Sequence, residues 1–176
     1  MTRLLITGGA GFIGANFVHH WLERHPGDRV VVLDALTYAG DVATLEPARK
    51  RAEFRFVHGN ILNTPLVERL LRDERIDTIV HFAAESHVDR SIEGPDAFLE
   101  TNIIGTHSML KAARRTWLGA KSVPTHRFHH VSTDEVYGSL RPSEPAFHEE
   151  TPYRPNSPYS ASKAASDHLV RAYFHA

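Results

Sequence analysis

No cysteine occurs among these 176 residues, which excludes disulfides, thiolate nucleophiles and thiolate metal sites. An excess of one charge is missing too: 20 Lys and Arg stand against 21 Asp and Glu, and no run of basic residues forms a stripe. That balance argues against a nucleic-acid surface or a membrane patch, so the expected partner is a small molecule. Apolar runs of membrane-spanning length are also lacking, and Arg3-Leu4-Leu5-Ile6 is too short for the apolar core of a signal peptide. A cytoplasmic location is the expectation. The 13 histidines do not make a metal framework, because His19-His20 and His129-His130 are adjacent pairs that point to different faces and have no carboxylate or cysteine companions. No metal is expected. Internal repeats and low-complexity segments are absent as well.

What is present is an alternation of short apolar runs with helical patterns. The runs are "RLLIT", "RVVVLD", "FRFVHG", "DTIVHFAA" and "HRFHHVST"; helices are expected from about Phe12 to Arg24, near Pro65 to Arg72, near Pro95 to Arg115, and from Ser157 onward. Strands that are apolar in consecutive positions indicate a parallel sheet covered on both faces, hence an α/β, doubly wound Rossmann fold. The length suits one domain, 1–176. The region after "TLEPARKR" reads as a short irregular crossover, and the Pro-rich, polar stretch from Ser139 to Pro158 reads as a long loop over a site.

Three patterns carry chemistry. In the first, Gly9-Ala10-Gly11-Phe12-Ile13-Gly14 sits between a strand and a helix, with an overlapping Gly8-x-x-Gly11-x-x-Gly14 reading. Glycines there allow a tight turn and close approach of a pyrophosphate to the helix start, while Asp34, 20 positions after Gly14, suits the two ribose hydroxyls of adenosine. No Arg at Ala35 or Leu36 offsets a 2′-phosphate, so NAD is expected over NADP.

The second pattern is "VSTDEVYG". A turn needs one polar residue or a glycine, and Gly138 supplies it, so Asp134 beside Glu135 points to acid–base work. On these residues alone, an Asp that caps the turn after a strand is the alternative. In the third, Tyr159 and Lys163 lie four apart at a helix start, on one face. An ammonium beside a phenol lowers the phenol's pKa, which would make the pair a usable base; an ordinary amphipathic helix surface is the alternative.

Together with "DALTYAGD", "HFAAESHVDRSI", "TNIIGT" and "SPYSASKAASDHLVRAY", these stretches resemble the extended short-chain dehydrogenase/reductase family, and within it the nucleotide-sugar 4,6-dehydratases. Sister epimerases and decarboxylases usually lack an Asp-Glu pair after the threonine, so they are the less favoured alternative, as is a non-catalytic NAD-binding module. The resemblance implies an NAD-dependent lyase acting on dTDP-glucose, with UDP-glucose left open, and a homodimer formed through two helices per subunit. It implies that Tyr159 takes the proton of the sugar 4-hydroxyl, with Lys163 holding the phenolate and the nicotinamide ribose. Glu135 then removes the C5 proton, and Asp134 protonates the departing 6-hydroxyl. Thr133 and Ser86 would bind the sugar. Phe12 and Ile13 would present backbone donors to the pyrophosphate; Asp34, Ala35, Leu36, Thr37, Asn60 and Ile61 would line the adenosine pocket. Phe82, Ala83, Ala84 and Ser86 would run under the cofactor, and Thr101 would touch it. Asn60 departs from the family's usual Asp. The final helix shows no glycine stop, so the chain is expected to be cut short of a smaller C-terminal substrate domain.

Overall fold

The computed structural model describes residues 1–118 and 125–176. Among them the order is β1 (Arg3–Thr7), α1 (Phe12–Arg24), β2 (Arg29–Asp34), a 3₁₀ turn (Val42–Leu45) leading into α2 (Glu46–Arg49), β3 (Phe54–His58), α3 (Thr64–Asp73) and β4 (Thr78–His81). There follow α4 (Val88–Glu93), α5 (Asp96–Phe98), a π-helical segment (Leu99–Gly105), α6 (Thr106–Trp117), β5 (Arg127–His130), a 3₁₀ turn (Asp134–Tyr137) and α7 (Pro158–His175). The chain divides into two compact units: residues 1–83 with 108–131, and residues 84–107 with 132–176.

The first unit holds a parallel five-stranded sheet in the order β3-β2-β1-β4-β5. Because successive side chains on a strand face opposite ways, the consecutive apolar residues feed two cores at once. On one face Leu5, Val31, Leu33 and Ile79 pack with Val67, Leu70 and Leu71 of α3 and with Met109, Ala112 and Trp117 of α6. On the other, Leu4, Ile6, Val30, Val32 and Val80 pack with Ala15, Val18 and Leu22 of α1 and with Leu45 and Ala48. The doubly wound expectation holds. Strand order reverses beside β1, and in such sheets that reversal opens a crevice at the carboxyl ends of the strands.

The 3₁₀ turn from Val42 to Leu45, with α2 after it, is nucleated by Asp41, whose side chain accepts a hydrogen bond from the Ala43 amide, and the short crossover from there to β3 is irregular, as expected. One local reading needs correction. The helix expected near Pro95 to Arg115 is α-helical only at its ends, with the π segment between. Its Asn102 is buried and hydrogen-bonds both the amide and the carbonyl of Glu85, at 2.9 and 3.0 Å, as well as Ser162 Oγ at 2.8 Å. A side chain so committed to tertiary partners is a local reason for the helix to take a wider turn there.

Candidate active site

The candidate residues fall into two groups, one in each unit. In the first unit, α1 starts at Gly11 with no side-chain cap and no acidic residue in its first turn. Its leading amides, those of Phe12 and Ile13, have no partner within the helix, which is the arrangement that receives an anion. Both side chains point out, 84% and 65% exposed. Gly8 has φ +68°, and a Cβ on it would stand 2.6 Å from the Ala83 nitrogen. A Cβ on Gly14 would collide with the Gly8 carbonyl oxygen. The tight loop therefore requires glycine at both positions.

Asp34 is buried at the end of β2 and does more than was expected of it. Its Oδ2 accepts from the Ala10 amide at 2.9 Å and its Oδ1 from the Leu36 amide at 2.8 Å, so the carboxylate fastens the glycine loop to the turn that follows β2. Leu36 takes φ +51°, an uncommon conformation for leucine, held in part by that bond. A carboxylate offers about four lone-pair sites, which leaves capacity for ribose hydroxyls. Phe82 packs on Phe17, the Ala83 amide donates to Thr7 Oγ1 at 3.3 Å, and Ile61 turns its side chain into the core. Asn60 is exposed, and its side-chain oxygen accepts from the Leu62 amide at 2.9 Å. The uncapped helix start, the glycine loop and the strand-end carboxylate fit an adenosine diphosphate.

In the second unit, the Asp134-Glu135 pair sits in a 3₁₀ turn whose N-cap is Thr133: its Oγ1 accepts from the Glu135 amide at 3.3 Å. Threonine therefore does the capping that Asp134 was weighed for, and neither carboxylate is spent on it. The same Thr133 hydroxyl bonds the Tyr159 phenol. Tyr159 and Lys163 are 9% and 4% exposed on α7, which starts from a Ser157–Ser160 capping box.

The electrostatics depart from the sequence reading. Burial raises the pKa of Tyr159; the Thr133 hydrogen bond pulls it down, but the charges of Glu135 and then Asp134 add to the rise. The phenol thus holds its proton more firmly than a free tyrosine. Burial draws Lys163 down from 10.5 to about 8, against the opposing charge of Asp167. The structure brings Thr133, Asp134, Glu135, Tyr159 and Lys163 into one unit. Ala84, Ser86 and Thr101 belong to that unit too, Ser86 being exposed.

A family model described as GDP-mannose 4,6 dehydratase matches residues 5–176. The chain belongs to this family. It is 56% identical over 180 residues to a dTDP-glucose 4,6-dehydratase from Xanthomonas campestris, covering 99% of this chain and 50% of that protein. The crystal structure of the dTDP-glucose 4,6-dehydratase DesIV from Streptomyces venezuelae, with NAD bound, matches with TM-score 0.88 and 50% identity, over 99% of this chain and 52% of that one. A UDP-Glc/GlcNAc 4-epimerase from Campylobacter jejuni matches with TM-score 0.86 and 28% identity, over 99% and 50%. The chain spans about half the length of the curated relatives it matches.

In this member of the dehydratase family, four residues bearing on the candidate site were not found by sequence reasoning. Asn102 holds the Glu85 backbone next to Ser86. Asp167 accepts from Ser132 and Tyr153, which bracket the turn and the long loop after it. Only Asp167 left a signal: it lies four residues after Lys163, as Lys163 does after Tyr159.

Proposed function

We propose that this chain carries the NAD-binding and acid–base machinery of a nucleotide-sugar 4,6-dehydratase acting on dTDP-glucose. The carrying observation is the Thr133 hydroxyl, which accepts from the Glu135 amide and bonds the Tyr159 phenol, so that one side chain ties the two-carboxylate turn to the tyrosine. An oxidation alone needs only the tyrosine and lysine; elimination of water needs a further base and acid, and Glu135 and Asp134 supply that pair.

NAD, held by the glycine loop and Asp34, would supply a hydride acceptor for oxidation at C4 and a hydride donor for reduction at C6. Tyr159, as the phenolate, accepts the proton of the 4-hydroxyl against the burial and carboxylate charge that favour its protonated form, with the Thr133 hydrogen bond pulling the other way. The resulting 4-ketone acidifies C5. Glu135 removes the C5 proton, and Asp134 donates a proton to the departing 6-hydroxyl, which leaves as water. Ser86 contacts the sugar. In the first unit, the amides of Phe12 and Ile13 receive the pyrophosphate, and Asp34 receives the ribose hydroxyls with Ala35, Leu36, Thr37, Asn60 and Ile61 around the adenosine. Leu99 and Ile104 of the π segment and Phe174 on α7 are exposed apolar side chains in the second unit, which supports dimerisation through these helices.

The similarity to several dTDP-glucose 4,6-dehydratases favours the dTDP sugar over UDP-glucose. The test uses a protein of the relatives' full length containing these residues, supplied with NAD and a panel of nucleotide sugars. The alkali absorbance of a 4-keto product from dTDP-glucose supports the reading. Interconversion of 4-epimers without loss of water would overturn it.

A further inference from the structure

We propose that Asp167 is a positioning residue: its Oδ2 clasps Ser132 and Tyr153 at the two ends of the segment carrying the acid–base turn, and its charge faces Lys163 from one helical turn away. This rests on the proposed roles of Lys163, Asp134 and Glu135. Ser132 Oγ donates to Asp167 Oδ2 at 2.6 Å, and Tyr153 Oη donates to the same oxygen at 2.9 Å. Ser132 immediately precedes Thr133, so the turn is held to α7 at two adjacent points, Ser132 on Asp167 and Thr133 on Tyr159. Tyr153 closes the loop that leaves the turn. Its ring packs on Tyr137 at 5.3 Å, and the next residue, Arg154, donates its amide to the Val136 carbonyl at 2.9 Å.

Tyr159, Lys163 and Asp167 succeed one another at four-residue spacing on α7, and so share a face. A lysine as buried as Lys163 loses its proton easily, and the negative charge on Asp167 opposes that loss. Two hydrogen bonds from neutral donors hold the carboxylate in place. The ionisable groups about Asp167 include Lys163 and His168 on α7 and Tyr153 from the loop, while Asp134 and Glu135 act on Tyr159. Asp167 thus sets the lysine's charge and the turn's place with one group.

The experiment follows the Lys163 side-chain Cε resonance with pH by NMR, assigned by its loss in Lys163→Met, and needs neither cofactor nor substrate. It therefore stands or falls separately from the proposed reaction. Asp167→Asn keeps an acceptor but loses the charge. The Lys163 midpoint should fall by about one pH unit, and Asp167→Glu should restore most of it. An unchanged midpoint in Asp167→Asn would overturn the proposal. Should that variant fail to fold, Ser132→Ala with Tyr153→Phe keeps the carboxylate and removes both donors. Amide exchange at residues 133–136 should then rise about tenfold, the loss of roughly one hydrogen bond's worth of local stability. Unaltered exchange in that double variant would overturn the clasp.

Discussion

Replacing Lys163 by Met removes a buried ammonium from α7 while keeping an unbranched side chain in its place, and the consequence depends on pH in a calculable way. Burial lowers the lysine from 10.5 to about 8. A base whose pKa is depressed on folding stabilises the fold above its unfolded value, and that stability is lost as pH falls through the folded value. At pH 7 the lysine is charged in both states, and the folded protein bears the full cost of holding the charge, about 3 kcal/mol from the difference between the two pKa values. At pH 9.5 the folded protein has released the proton and the unfolded chain has not, so about 2 kcal/mol of that cost is relieved. The pH window stops there because Tyr159 and Tyr153, both raised, shift stability in the opposite direction above pH 10. Urea unfolding followed by circular dichroism, at pH 7, 8 and 9.5, measures both proteins. The stability of wild type relative to Lys163→Met should rise by about 2 kcal/mol from the first pH to the last. A difference that stays constant would refute the placement of a charged lysine in this buried position.

Other outcomes follow from the same geometry. NAD should bind more tightly than NADP, because a 2′-phosphate would meet the Asp34 carboxylate that already fastens Ala10 and Leu36; equal affinities by calorimetry would remove Asp34 from the ribose. Spectrophotometric titration should show a slow-rising phenol near pH 12 that Tyr153→Phe abolishes, since burial first and then Asp167 raise that tyrosine to about 12. Sedimentation of the protein at micromolar concentration should show a dimer that Ile104→Lys or Phe174→Lys weakens; a monomer in wild type would count against the helix pairing. The 176-residue chain by itself should bind NAD and give no 4-keto product, because turnover is expected to need the remote binding energy of residues beyond this half; a 4-keto product from the chain alone would contradict this.

The parts of the fold legible in the sequence were those set by neighbours along the chain. The strand–glycine loop–helix of residues 3–24 and the start of α7 at Ser157 stand where the pattern placed them, since turn chemistry and capping act over three or four residues. The π segment was not legible, because Asn102 is drawn to Glu85 and Ser162, partners 17 and 60 positions away. The direction of the Tyr159 pKa shift was not legible for the same reason. Spacing shows that Lys163 is one turn off, but not how deeply the phenol is buried or that Glu135 and Asp134 act on it. Thr133 looked like a sugar contact, and only the folded turn shows its hydroxyl between the Glu135 amide and the tyrosine.

The central claim is that the two carboxylates after β5 perform an elimination that tyrosine and lysine cannot. It is tested most directly by Glu135→Gln in a protein of the relatives' full length, with dTDP-glucose and NAD in deuterated water. Oxidation at C4 should continue, seen as accumulating reduced cofactor, while deuterium entry at C5 falls by about a hundredfold or more, the usual worth of a positioned general base. Deuterium entering C5 at the wild-type rate would contradict the account and move the base away from Glu135.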